Sequence, residues 1–141
     1  MVTAAASRAT PYRRRMATAT LGPSGYTTTV RSGGHQLVVD EPSSSGGDDR
    51  GPNPMGLLLA ALASCTAITL RMYAERRRWP LTGVRVVARY VAENGGGRVD
   101  RVIRLDGDLD DEQRSRLAGV AERTPVTRIV REGQEISTTV E

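Results

Sequence analysis

The chain contains no lysine and no phenylalanine, and it has only one cysteine and one histidine among its 141 residues. A single cysteine excludes an internal disulfide framework and favours the cytoplasm as the compartment. No group of histidine, cysteine and acidic residues has the spacing of metal ligands, so neither a metal nor another cofactor is expected. All 20 basic residues are arginine, which is typical of a GC-rich genome.

Aromatic residues and long apolar runs are also scarce. The net charge is +4 and only 4% of the residues are aromatic, so the stacking surfaces that single-stranded nucleic acids require are missing. The N-terminus has no apolar segment typical of a secretory signal. The uncharged run Met55–Leu70 is shorter than the roughly 20 residues of a membrane span and ends at Arg71. We therefore expect a soluble cytoplasmic protein with no nucleic-acid or membrane partner.

Residues 15–141 are predicted to form one α+β domain, preceded by a tail at residues 1–14. Turn residues separate short β-patterned segments, and apolar segments with helix caps lie between and after them. Because strands and helices are grouped rather than alternating, the pattern disfavours a parallel doubly wound sheet. The predicted strands are Ala17–Leu21, Tyr26–Arg31, His35–Val39, Val84–Val91, Arg98–Leu105 and Gln134–Val140; the predicted helices are 54–78, 110–123 and 124–130.

The first predicted helix contains the only cysteine, Cys65. Asn53 can cap it and Pro54 suits its first position. Since no charged residue interrupts Met55–Leu70, we expect the helix to be buried on all sides. One small sheet covers only one side, so the sequence predicts a homodimer in which a second copy provides the rest.

Several short motifs stand out in the sequence: Asp40-Glu41-Pro42, Gly46-Gly47, Gly51-Pro52-Asn53-Pro54, the segment Leu-Leu-Leu-Ala-Ala-Leu-Ala-Ser-Cys65-Thr, and Pro125-Val126. In these motifs the sequence resembles the OsmC/Ohr family, the osmotically inducible and organic hydroperoxide resistance proteins of bacteria. The resemblance covers about residues 15–141. It implies antiparallel sheets wrapped around a long buried central helix in an intertwined homodimer.

The resemblance also implies a thiol-dependent reduction of organic hydroperoxides. A reactive cysteine, here Cys65, attacks the peroxide; a second cysteine resolves the sulfenic acid; and a dithiol reductant restores both. An arginine and a glutamate complete the usual site. This sequence differs from the pattern at two positions: Thr124 occupies the place of the second cysteine, and Met55 occupies the place of the glutamate. If Cys65 is oxidised, an external thiol must therefore resolve it.

A cysteine reduces peroxide as a thiolate, which a nearby cation or helix N-terminus stabilises. Cys65 lies about 16 Å along the helix from Pro54, beyond the reach of the helix dipole. A guanidinium must therefore supply the charge, and Arg31 and Arg50 are the candidates because they flank the loop before the helix. The sequence does not choose between them, and either could be an ordinary surface arginine.

Three hypotheses about the function remain open at this point. The chain could be a peroxide reductase that acts through Cys65 alone. It could be a non-catalytic module that binds a small hydrophobic ligand in a dimer pocket lined by Met55, Leu58 and Leu62, with Cys65 only a buried apolar residue. It could also be a homologue with neither role. Thr124 has a structural explanation as well, because its hydroxyl can cap the helix that begins at Pro125.

Overall fold

The computed structural model describes residues 16–141, which form an α+β protein with two antiparallel sheets. The chain divides into two compact units, the first ending at Pro54 and the second comprising Met55–Glu141. Each unit is described by itself below. The tail predicted at residues 1–14 lies outside the described residues.

The first unit contains a three-stranded meander. Strands β1 (Ala17–Leu21), β2 (Thr28–Ser32) and β3 (His35–Val39) pair in the order β1-β2-β3. The turn between β2 and β3 uses Gly33 and Gly34, both with positive φ, a conformation that glycine adopts without steric cost. The meander predicted from the sequence is therefore confirmed.

The loop after β3 is organised by a buried carboxylate, Asp40. Asp40 is only 2% exposed. Its oxygens accept hydrogen bonds from Thr27 Oγ1 at 2.8 Å, from the backbone N–H of Glu41 at 2.8 Å and from that of Arg50 at 3.3 Å. Burial by itself would raise the pKa of Asp40, but these hydrogen bonds outweigh it, and the pKa lies below the ordinary value of 3.8. The carboxylate is thus kept ionised as the loop's acceptor.

We expect Asp40→Asn to lower the free energy of unfolding, because an amide NH2 group then faces backbone donors that need an acceptor. A carboxylate with a lowered pKa stabilises the fold above its unfolded-state pKa and loses that effect as the pH falls through its folded-state pKa. The difference between wild type and variant should therefore be full at pH 7 and shrink below about pH 3.8. Urea unfolding at several pH values measures it. The exposed neighbour Asp49, changed to asparagine, is the control and should unfold like wild type.

The loop also explains two of the motif glycines. A Cβ added at Gly47 would lie 2.0 Å from the carbonyl oxygen of Glu41, and one at Gly51 would lie 2.1 Å from that of Val38. Only glycine permits such a close approach of two backbone segments. These motif positions therefore maintain the loop.

The second unit is built from one long helix, a hairpin and two shorter helices. Helix α1 spans Pro54–Arg76, strands β4 (Leu81–Glu93) and β5 (Gly96–Gly107) pair antiparallel, and helices α2 (Asp111–Ala121) and α3 (Pro125–Glu132) follow. Asp110 and Gln113 form the predicted capping box of α2. These elements agree with the sequence prediction, although the hairpin strands are longer than predicted.

The core of the second unit lies where α1 meets the hairpin and α2. Leu70 and Leu117 are completely buried, together with Ala74, Leu81, Leu109, Val120 and Ala121. The buried residues of α1 recur every four positions, at Leu62, Thr66, Leu70 and Ala74. This spacing produces one stripe along the helix, which is the side that packs.

The remaining sides of α1 are largely exposed in the single chain. Ile68 is 60% exposed and Met72 is 47% exposed. The expectation that α1 is buried on all sides is therefore not met by one copy of the chain. The reason is geometric: a two-stranded sheet and α2 cover one stripe of a helix, and any further cover must come from elsewhere.

The strand predicted at Gln134–Val140 is wrong for the single chain. No regular element follows α3, and residues 134–140 are exposed. Gly133 ends α3 with a φ of 70°, and no strand of either described sheet pairs with the segment beyond it. An alternating pattern produces a strand only where an edge is available for pairing.

Candidate functional site

The guanidinium of Arg101 is a mostly buried charged group that contacts α1. Arg101 lies on β5, and its side chain is only 11% exposed. It occupies the face of β5 that also carries Val99, Ile103 and Leu105, because side chains alternate along a strand. An arginine on the apolar face of a strand needs several hydrogen-bonding partners to offset the cost of removing its charge from water.

Those partners are supplied by three helices. Arg101 Nη1 donates to Thr66 Oγ1 of α1 at 3.0 Å and to Thr127 Oγ1 of α3 at 2.9 Å. Its Nη2 donates to the carbonyl of Ala121, at the end of α2, at 3.0 Å and to Glu122 Oε1 at 3.2 Å. Arg101 thus joins β5 to the ends of α2 and α3 and to the middle of α1.

Thr124 belongs to the same network. It is 1% exposed, and its hydroxyl lies 2.7 Å from that of Thr127. It is also the N-cap of α3, accepting from the backbone N–H of Thr127 at 3.4 Å, with Pro125 at the first helical position. The predicted cap is confirmed, and the hydroxyl that stands at the second-cysteine position is hydrogen-bonded and buried.

Cys65 precedes Thr66 on α1 and is half-buried. Leu58, Leu62 and Cys65 are spaced four and three residues apart, so they follow one another along one side of the helix. Neighbours at this spacing are about 5–6 Å apart between Cβ atoms. Cys65 therefore lies about one helical turn beyond Leu62 along α1.

A cavity of about 510 Å³ opens beside this part of α1. One wall is apolar and includes Met55, Leu58 and Leu62, the three residues that the sequence analysis named. The lining also carries three arginines and one acid. The lining residues are Met55, Leu58, Leu62, Tyr90, Gly97, Arg98, Val99, Arg101, Glu122, Thr127, Val130 and Arg131. Its volume suits a small organic ligand.

Glu122 is the one acidic residue in the lining. Its Oε2 accepts from Arg131 Nη2 at 2.5 Å, and its Oε1 accepts from Arg101 Nη2 at 3.2 Å. The hydrogen bond from Arg131 lowers the pKa of Glu122 below its ordinary value of 4.5, with help from the charge of Arg101 and against partial desolvation. Glu122 is therefore ionised at neutral pH and shared by two guanidinium groups.

The two arginines predicted to assist Cys65 lie in the first unit. Arg31 is on β2, where it pairs in register with Thr18 and Gln36. Arg50 lies in the loop before α1 and its backbone N–H binds Asp40. Cys65 belongs to the second unit, so the pairing of either arginine with its thiol stays a prediction. Within residues 16–141, no cluster of three or more His, Cys, Asp or Glu could hold a metal.

The sequence analysis missed Arg101, Glu122 and Arg131. A signal for Arg101 was available, because it alternates with Val99 and Ile103 on the inward face of a predicted strand. No comparable local signal exists for Glu122 and Arg131. Their side chains meet only because of the way α2 and α3 are arranged after folding.

Three solved structures show what this fold is similar to. An OsmC-like protein from Mycoplasma pneumoniae is 18% identical, with a TM-score of 0.72, and the match covers 85% of this chain and 89% of that one. An organic hydroperoxide resistance protein from Elizabethkingia anophelis is 23% identical, with a TM-score of 0.64 and coverage of 85% and 89%. The organic hydroperoxide resistance protein OhrB of Bacillus subtilis is 20% identical, with a TM-score of 0.58 and coverage of 85% and 92%.

The fold and the cysteine-bearing helix thus define an α+β protein of the OsmC/Ohr type. The family described as OsmC-like protein matches residues 46–139, which is more than half of the chain. The chain belongs to the OsmC-like family. No curated protein matches it in a sequence search.

Helix α1 is long and apolar enough to cross a membrane, judged by length and composition alone. Only 17% of its most apolar window is buried within the chain. Core helices of soluble proteins pass the same test. Because OsmC and Ohr proteins are typically soluble, we regard α1 as a helix of a soluble protein.

Proposed function

We propose that the protein is a thiol-dependent organic hydroperoxide reductase that acts through Cys65. The observation that carries the proposal is the position of Cys65: it is half-buried, and it lies one turn beyond Leu62, which lines the cavity. Membership of the OsmC-like family and likeness to organic hydroperoxide resistance proteins support the same reaction.

The chemistry needs one cysteine and an external thiol. The Cys65 thiolate attacks the distal peroxide oxygen, the O–O bond breaks, and the alkoxide takes a proton, leaving Cys65 sulfenic acid and an alcohol. One molecule of external thiol forms a mixed disulfide with Cys65 and releases water. A second molecule frees the Cys65 thiol and leaves as a disulfide. Thr124 cannot take the place of a second cysteine in this cycle.

The expected stoichiometry tests the cycle. Without added thiol, the reduced protein should consume about one equivalent of cumene hydroperoxide and stop, because nothing in the chain can resolve the sulfenic acid. With millimolar 2-mercaptoethanol it should turn over many times, beyond the rate of the thiol alone. Peroxide remaining in solution is measured with time. Sustained consumption without any thiol would contradict the proposal, and so would no consumption at all.

The cavity favours a second candidate function, a non-catalytic module that binds a small hydrophobic ligand. Its apolar wall and its volume of about 510 Å³ fit that role. In this case Cys65 would be inert toward peroxide and ligand binding would survive its replacement. The stoichiometry experiment separates the two candidates.

A homodimer in the cytoplasm completes the proposal. The exposed apolar side of α1 and the unpaired β-patterned segment at 134–140 both need a partner surface, and a second copy offers the simplest one. A guanidinium near Cys65, from Arg31 or Arg50 of either copy, would stabilise the thiolate. Sedimentation equilibrium reports the oligomeric state, and a monomer at micromolar concentration would remove this part of the proposal.

A further inference from the structure

The end of the hairpin formed by β4 and β5 carries an asparagine followed by a glycine. Asn94 and Gly95 form a two-residue turn, since Glu93 pairs with Gly96 across the strands. All four of these residues are exposed. Asparagine is among the thermally labile residues of proteins, and a following glycine, which has no Cβ, hinders its reaction least.

The backbone nitrogen of Gly95 is free to act as a nucleophile. A two-residue turn pairs the residues on either side of it and leaves the N–H of its second residue without a partner on the opposite strand. Within residues 16–141, no hydrogen bond engages this N–H or the side chain of Asn94. Gly95 has a φ of 80°, and a Cβ built on it would meet no atom within 4 Å. The described part of the chain thus leaves the nitrogen unshielded.

We infer that Asn94 is a site of spontaneous deamidation in the folded protein, with water as the only co-reactant. The Gly95 nitrogen bonds to Asn94 Cγ, the Cγ–Nδ2 bond breaks, and ammonia leaves with the proton of the backbone N–H. The five-membered succinimide ring closes within one molecule, so no encounter has to be paid for in translational entropy. Water then opens the ring at either carbonyl, which gives aspartate at one and isoaspartate at the other.

Both products change the end of the hairpin. Each adds a carboxylate beside Glu93, which pairs with Arg98, and each lowers the formal net charge of +4 by one. Isoaspartate also carries the chain through its side chain, so the backbone gains one methylene and the turn no longer matches the pairing of Glu93 with Gly96. The reaction therefore alters the chain next to Gly97 and Arg98, two residues that line the cavity.

The only other asparagine in the chain is Asn53. Pro54 follows it, and proline has no backbone N–H with which to close the ring. Asn53 should therefore stay unchanged under conditions that convert Asn94. It serves as a control within the same molecule.

The reaction is followed in the reduced full-length protein at mildly alkaline pH, either folded in buffer or unfolded in urea, by chromatography and mass spectrometry of its peptides. We expect aspartate and isoaspartate at position 94 in the folded protein at a rate within about tenfold of that in urea, because exposed turns react without global unfolding. A site that reacts only after global unfolding would slow by the folding equilibrium constant, about 10³–10⁸. Neither peroxide nor ligand is present, so the result is independent of the proposed function.

Two variants at the turn complete the test. Asn94→Gln should stay an amide, because glutamine would have to close a larger ring. Gly96→Ala keeps the reacting pair and adds a Cβ that meets no atom within 4 Å, so it should react like wild type. The inference is overturned if Asn94 stays unchanged in the folded protein, if aspartate forms there without isoaspartate, or if Asn53 is converted equally.

Discussion

Cys65→Ser is expected to abolish the thiol-dependent consumption of cumene hydroperoxide. Cys65 is the only cysteine in the chain, so no other thiol can form the sulfenic acid or the mixed disulfide. A serine hydroxyl of nearly the same size keeps the helix but is not a comparable nucleophile at neutral pH. The rate should fall to that of the external thiol alone, measured by following the peroxide.

The neighbouring Ser64 provides the matched control. Its hydroxyl donates to the carbonyl of Ala60 at 2.7 Å and faces solvent, so Ser64→Ala changes the adjacent position without touching the thiol. Ser64→Ala should retain wild-type turnover. If Cys65→Ser keeps thiol-dependent activity, the reaction does not occur at Cys65 and the proposed function fails.

Arg101→Leu is expected to lower the free energy of unfolding by about 3 kcal/mol, because it removes four hydrogen bonds from a guanidinium that is mostly buried. The change leaves Thr66, Thr127 and the Ala121 carbonyl without the donor that they share. It should therefore loosen the junction of α1, β5 and α3, where Arg101 and Thr127 line the cavity. Urea unfolding followed by circular dichroism measures the loss.

Arg98→Leu is the control for this loss. Arg98 is on the same strand and forms two ion pairs, but its side chain is 54% exposed. Exposed pairs contribute about 0–1 kcal/mol. If Arg101→Leu and Arg98→Leu lower the free energy of unfolding equally, the burial of Arg101 does not add to its contribution to stability. Arg101→Lys, which keeps the charge with fewer donors, should fall between wild type and Arg101→Leu.

Local signals in the sequence predict most of the secondary structure. Asn53-Pro54, Asp110 with Gln113, and Thr124-Pro125 each indicate a helix start through backbone chemistry that acts within a few residues. Glycine turns and alternating residues similarly predict the meander and the hairpin. These signals hold because capping and turn formation do not depend on the rest of the fold.

Long-range pairing is where prediction from the sequence fails. The segment Gln134–Val140 alternates like a strand but lies without a partner edge in the single chain. The full burial expected for α1 also depends on surfaces that its own sequence does not describe. In the same way, the meeting of Glu122 with Arg101 and Arg131 depends on how β5, α2 and α3 converge, which no spacing along the chain encodes.

The central claim, that Cys65 is the peroxide-reactive group, is tested most directly by trapping its sulfenic acid. The reduced wild-type protein receives one equivalent of cumene hydroperoxide in the presence of dimedone, and the modified residue is located by peptide mass spectrometry. The account predicts rapid, near-stoichiometric dimedone labelling at Cys65 and none in the Cys65→Ser variant. A Cys65 that remains an unlabelled free thiol after exposure to millimolar peroxide would contradict it.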